Sequence, residues 1–156
     1  MSYQRLIYHL VISTHMREGT IEKSHERELY TYMLGTMRNL GAHVYRIGGM
    51  PDHMHIILSI PAKTAISDFV RDLKTAASVW MKNSPSFPRW RGWGDGYGVF
   101  SCSFNDLTAV VDYVKNQKIH HRKTSFDDEY KQLLVQHNIP FNEIYLDGRK
   151  LGKASQ

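Results

Sequence analysis

The chain has 156 residues, 42% of them hydrophobic, a size that fits one domain with a real core and leaves little for a second. One cysteine, Cys102, excludes an internal disulfide and suits a reducing compartment. Formal net charge is +5 with a pI near 9.3, a modest pointer to a polyanionic partner. No apolar run approaches the roughly 20 residues needed to cross a bilayer. The N-terminus also lacks the charged-then-apolar order of a signal peptide, so a cytoplasmic protein without membrane partners is expected.

Residues 5–14 read as a strand rich in Leu, Ile, Val and Tyr. Ser24 is placed to cap a helix whose apolar positions are Leu29, Met33, Met37 and Leu40, with Gly41 at its stop. Residues 42–47 and 53–60 are extended, joined by turn chemistry over Gly48 to Asp52. A second helix is expected over 65–82. It carries Ile66, Phe69, Val70, Leu73, Ala77, Trp80 and Met81 on one side, and a basic stripe of Arg71, Lys74 and Lys82 on another. A Pro-, Gly- and aromatic-rich loop follows over 83–98, then a strand over 99–104. Asn105 is placed to cap a third helix, 106–121, and Ser125-Phe126-Asp127-Asp128 resembles a capping box opening a fourth, closed by Asn138 and Pro140. Residues 1–146 are read as one domain and 147–156 as a flexible basic tail. The order β-α-β-β-α-β plus C-terminal helices gives an α+β, ferredoxin-like sandwich on an antiparallel sheet.

Two segments carry chemistry. In Asp52-His53-Met54-His55, alternation puts both imidazoles on one face of a strand, roughly 7 Å apart. The other face, Met54, Ile56, Leu58 and Ile60, is wholly apolar and belongs under the first two helices. In the third helix, Tyr113 and Gln117 are four residues apart and share a face off the apolar stripe of Leu107, Val110, Val111 and Val114. Each segment alone has an ordinary reading: a chance His-x-His among nine histidines, and a boundary tyrosine with its ring packed and its hydroxyl wet. Together they describe an ion on two imidazoles and the Gln117 amide oxygen that keeps its full charge for a phosphodiester. Such an ion would assist a phenol that is otherwise a poor nucleophile at neutral pH.

His53-Met54-His55 combined with Tyr113-x-x-x-Gln117 resembles the single-tyrosine HUH transposases of bacterial insertion sequences and the related REP-associated tyrosine transposases. Tyr8 to Thr14, Gly96 to Ser101, His120-His121, Ser125 to Tyr130 and Ile144-Tyr145-Leu146 extend that resemblance over about residues 6–146. It implies a ferredoxin-like fold, Mg²⁺ or Mn²⁺, and a 5′-phosphotyrosine intermediate. It further implies single-stranded DNA hairpins as substrate, and a homodimer whose tyrosine helix acts in trans. By the same match His53, His55 and Gln117 would be ligands and Tyr113 the nucleophile. The two imidazole donors sit uneasily with Mg²⁺, since nitrogen ligands favour transition metals.

Phosphate contacts are expected from Arg71, Lys74 and Lys82, and from the basic run Lys115, Lys118, His120, His121 and Arg122. Arg89 and Arg91, interleaved with Trp90, Trp93 and Tyr97, could border stacked bases, though such rings commonly tuck back onto the core. Two alternatives stay open. One is a domesticated protein that binds or nicks palindromic hairpins. The other is a zinc hydrolase taking a third ligand from His9, His15 or His43.

Overall fold

Alternation in the central strands decides which side chains face which layer. In β1 (Ile7–Ser13) and β3 (His53–Ser59), Leu10, Ile12, Met54, Ile56 and Leu58 point to one side. They bury against α1 (Glu26–Asn39) and α2 (Ile66–Lys82) through Leu29, Met33, Met37, Phe69, Val70, Leu73 and Ala77. Ile7, Val11 and Ile57 point to the opposite side, as do His9, His53 and His55. In the computed structural model, which describes residues 1–142, β2 (His43–Met50) and β4 (Gly98–Cys102) complete one antiparallel sheet ordered β2-β3-β1-β4. This is the expected ferredoxin-like arrangement. Both faces of β3 are covered, so nearly every residue of that strand is buried. Among the described residues, no helix is long and apolar enough to cross a membrane.

The second layer comes from the C-terminal part. α3 (Leu107–Lys115) lays Leu107, Val110, Val111 and Val114 over Ile7 and Ile57, the stripe read from its spacing. It reaches β2 at Gly48, where an added Cβ would stand 2.4 Å from the Val114 carbonyl oxygen. Glycine there lets helix and strand touch. α5 (Phe126–Gln136) closes the remaining face, with Phe126 and Leu134 against Val11 and Phe100.

Several local expectations shift. Ser24 lies inside a 3-10 turn, Lys23–His25, and α1 begins without a side-chain cap, its first turn carrying Glu26 and Glu28 instead. The extended run after Gly41 (φ 87°) continues through Met50, so the hairpin turn narrows to Pro51 and Asp52. Ser103, not Asn105, accepts the Asp106 N–H ahead of α3, across a 3-10 turn at Phe104–Asp106. The helix expected over 106–121 is two: α3 ends at Asn116 (ψ 22°), and the single turn α4 (Gln117–His120) restarts it. Asparagine favours such half-helical positions because its amide competes for backbone groups. Ser125 does cap α5, accepting from the Asp128 N–H, and Asn138 (φ 53°) follows its end. The basic tail, 147–156, and the segment Ile144 to Leu146 lie outside the described residues.

Candidate active site

His53 and His55 are fully buried beneath the C-terminal layer, and burial of unpaired imidazoles is costly. Each is held through Nδ1. His53 Nδ1 lies 2.8 Å from Asp52 Oδ1, and His55 Nδ1 lies 2.7 Å from His9 Nε2. A third histidine, His121, is held the same way, its Nδ1 2.8 Å from the Thr124 carbonyl oxygen. All three Nε2 atoms turn inward, where each can donate to a carboxylate as Nε2–H or present a lone pair to an ion, with the outer partner at Nδ1 setting the tautomer. His9 suits the acceptor role: burial, then the neighbouring His55, pulls its pKa to about 3, so it is neutral. For His53, burial opposes the charged form, but the Asp52 and Glu129 carboxylates outweigh it and its pKa rises. For His55 burial prevails and the pKa falls.

The inward nitrogens surround Glu129, a carboxylate from the first turns of α5 that is 2% exposed. His55 Nε2 is 2.7 Å from its Oε1, and His121 Nε2 is 3.3 Å from its Oε2. Burial alone would raise the pKa of this carboxyl; hydrogen bonds from His121, His53 and His55 reverse that and hold it below the ordinary range. Phe126, three residues earlier on α5, stacks flat on His53 at 3.8 Å between centroids, while Arg17 lies over its ring. Arg17 also pairs with Asp127 and, at 3.4 Å, with Asp52, tying the start of α5 to the turn before β3. One ligand atom each from His53, His55, His121 and Glu129 lie within 4.8 Å of one another, so this group could bind a metal ion. Gln117 Oε1 adds an oxygen 3.2 Å from His53 Nε2 and 3.0 Å from His121 Nε2.

Tyr113 stands beside this group in its own chain. Its hydroxyl donates to Glu129 Oε2, and its ring lies edge-on to His55 at 5.8 Å. Gln117 Nε2 donates to the same carboxylate oxygen at 3.0 Å. Burial, then the carboxylate it donates to, pushes the Tyr113 pKa above its ordinary value. The four residues singled out from the two motifs therefore converge. Glu129 was not among the ligand candidates, although it directly follows the capping stretch Ser125 to Asp128. His121, placed with the basic run, turns inward; its position four residues after Gln117 was the available signal. His120 lies between, 3.2 Å from Glu129 and edge-on to Tyr113. His9 supports His55, whereas His15 and His43 are outside the group.

Most basic candidates have internal partners. Lys74 donates to the Gly94 and Gly96 carbonyls, and burial lowers its pKa. Arg71 pairs with Asp68 and Asp72, Arg89 with Glu22, Arg91 with Glu18, and Lys118 with Glu26. Trp90 and Trp93 pack inward, their indoles donating to Ser78 Oγ and the Lys74 carbonyl. Lys82, Lys115 and Arg122 are exposed and have no ion-pair partner among the described residues.

Comparison with known proteins identifies the family. The ISDra2 transposase TnpA of Deinococcus radiodurans is 28% identical over 120 residues, covering 72% of this chain and 84% of that protein. The REP-associated tyrosine transposase, solved bound to a REP hairpin, shares the fold with a TM-score of 0.59 at 16% identity, covering 78% of this chain and 74% of that one. A 1.90 Å crystal structure of a protein from Deinococcus radiodurans R1, described as a transposase, gives a TM-score of 0.55 at 23% identity, over 75% of this chain and 95% of that one. The family described as "Transposase IS200 like" matches residues 2–117, a span that includes His53, His55, Tyr113 and Gln117. This chain belongs to the IS200-like transposases, a family of enzymes that cut DNA and transfer its strands.

Proposed function

We propose that this transposase cuts and rejoins single-stranded DNA at hairpin-marked ends, with Tyr113 as nucleophile and a divalent cation held by His53, His55, His121 and Glu129, Gln117 adding an oxygen. The observation that carries the reading is one carboxylate touching everything required: Glu129 accepts from Tyr113 and Gln117 while contacting His55 and His121. The donor set fits an ion, since the Nδ1 atoms are occupied and the Nε2 atoms converge. Nitrogen-rich coordination favours Mn²⁺ over Mg²⁺. Glu129 alters the charge argument made from the two motifs, because a carboxylate leaves a divalent ion with one net positive charge rather than two.

A bound ion supplies Lewis-acid polarisation of the scissile phosphate. The chain's own residues do the rest. Glu129 orients the phenol, and α3 and α4 fix Tyr113 and Gln117 on one side of the ligands. The phenolic oxygen attacks phosphorus in line and gives up its proton, in net terms to the leaving oxygen. The bond to the 3′ oxygen breaks, that oxygen leaves as a 3′-hydroxyl after taking a proton, and the 5′-phosphate stays on Tyr113. A 3′-hydroxyl from another strand end reverses the exchange without loss of phosphodiester energy, which hydrolysis would dissipate. The tyrosine placed at the site is the chain's own, so each subunit can assemble this constellation in cis, whether or not two subunits pair. Incubation with single-stranded hairpin DNA and Mn²⁺ or Mg²⁺ should yield a covalent protein–DNA species. Tyr113→Phe should remove that species while hairpin affinity stays within about twofold; an adduct of normal yield in Tyr113→Phe refutes the assignment.

A further inference from the structure

Beside the nucleophile lies a cavity of about 420 Å³, bounded by β4, α3 and α5. Its volume falls in the range of small-ligand sites. Tyr113 and Glu129 line it, so it opens directly onto the reacting hydroxyl. Phe100 and His137 form an aromatic wall, their rings stacked at 4.8 Å and 29°. Gln132 and Gln136, one helical turn apart on α5, line it with exposed amides, each offering both a donor and an acceptor. Among the described residues no lysine or arginine lines it, and Asp106 adds a carboxylate to that of Glu129.

The aromatic wall and the glutamine amides point to the chemical class of the occupant. A groove for the phosphate backbone needs cations, because phosphate affinity is largely electrostatic. A cavity with an aromatic wall and neutral amides instead suits a planar, uncharged group with hydrogen-bonding edges. Bases stack on aromatic side chains, and glutamine amides can read a base edge. A nucleotide whose phosphate reaches Tyr113 has this space within reach of its own base or its neighbour's.

We propose that this cavity receives the unpaired base flanking the scissile phosphate, stacked on Phe100 and His137 and read by Gln132 and Gln136. The inference rests on the single-strand cleavage reading above and adds to it a protein-built determinant of where the strand is cut. Hairpin recognition then selects the end, and the cavity selects the junction within it.

The test uses the full chain, Mn²⁺, and hairpin oligonucleotides whose adduct first maps the junction. Each flanking nucleotide is then replaced in turn by an abasic residue and by the other three bases. At one of the two positions the abasic substitution should lower the wild-type adduct rate about tenfold, the scale of one lost base stack. His137→Ala and Gln136→Ala, both at exposed positions, should flatten the base preference there, so that abasic and intact substrates react within about twofold of each other. Gln132→Leu should instead change which base is preferred. Binding of a blunt hairpin that lacks the junction should be unaltered in all three variants. If wild type and variants show the same penalty at both positions, or no penalty at either, the cavity does not hold a base, while the transposase reading survives. If wild type forms no adduct with any intact hairpin substrate, both readings fall.

Discussion

Replacing Glu129 by glutamine keeps shape and volume while removing one charge from the centre of the site. The carboxylate accepts from Gln117 Nε2 at 3.0 Å and from the Tyr113 hydroxyl, and its other oxygen lies 2.7 Å from His55 Nε2. With glutamine, the amide nitrogen takes the place of one oxygen, facing either the Gln117 amide nitrogen or His55 Nε2, and the acceptor loses its charge. The phenol can rotate to accept, so one charge-assisted hydrogen bond is lost outright, worth about 1.5–3 kcal/mol. For a chain of this length, about 2 kcal/mol lowers Tm by roughly 4–8 °C in metal-free buffer. The ion should magnify the contrast. Free Mn²⁺ at a hundredfold excess over its wild-type Kd stabilises the fold by about 2.7 kcal/mol; a variant binding about a hundredfold more weakly gains only about 0.4 kcal/mol. Calorimetric scans with chelator and with Mn²⁺ read both quantities. An equal Mn²⁺-dependent rise in Tm for wild type and Glu129→Gln would refute the role of Glu129 as ligand.

Other consequences follow from the same contacts. Gly48→Ala drives a methyl group into the Val114 carbonyl, so α3 must retreat from β2; a loss of about 1–3 kcal/mol and a several-fold slower adduct rate are expected by denaturation and gel assay. The His53 contribution to metal-free stability and the affinity for metal should respond oppositely to pH, whereas His9 and His55, with lowered pKa values, favour the folded state as pH rises. The raised pKa of His53 favours the folded state most fully below its ordinary 6.5, and that contribution fades as pH rises through the folded value. Ion binding needs the unprotonated Nε2, so Mn²⁺ affinity measured by spin resonance should climb between about pH 6 and pH 8. Lys74→Met should leave the salt dependence of hairpin binding unchanged, because its ammonium serves the Gly94 and Gly96 carbonyls, but should increase proteolysis of the loop over 83–98. A salt slope reduced by about one would return Lys74 to the DNA surface.

What was legible in the sequence had local cause. Alternation alone put Met54, Ile56 and Leu58 under the first two helices and turned His53 and His55 away. The four-residue spacing kept Tyr113 and Gln117 together even though the helix breaks at Asn116. Glu129 was hidden because the stretch before it is a capping pattern, which explains its residues without reference to a distant sheet. That α5 docks on the histidine face depends on Phe126 meeting His53 and Val11, contacts across more than seventy positions that no periodicity reveals. The basic residues mislead for a related reason. Lys118 meets Glu26 and Arg89 meets Glu22 only after folding, so charge runs overstate the free positive surface. Trp90 and Trp93, by contrast, tuck back onto the core as the loop composition suggested.

The central claim is that Tyr113 itself takes the phosphate. Mass spectrometry of the trypsin-digested adduct addresses it directly, because one peptide, residues 92–115, contains both Tyr97 and Tyr113. Fragmentation should place the nucleotide on Tyr113, whose hydroxyl meets the ligand group through Glu129. A nucleotide on Tyr97, or on any residue outside that peptide, would contradict the account.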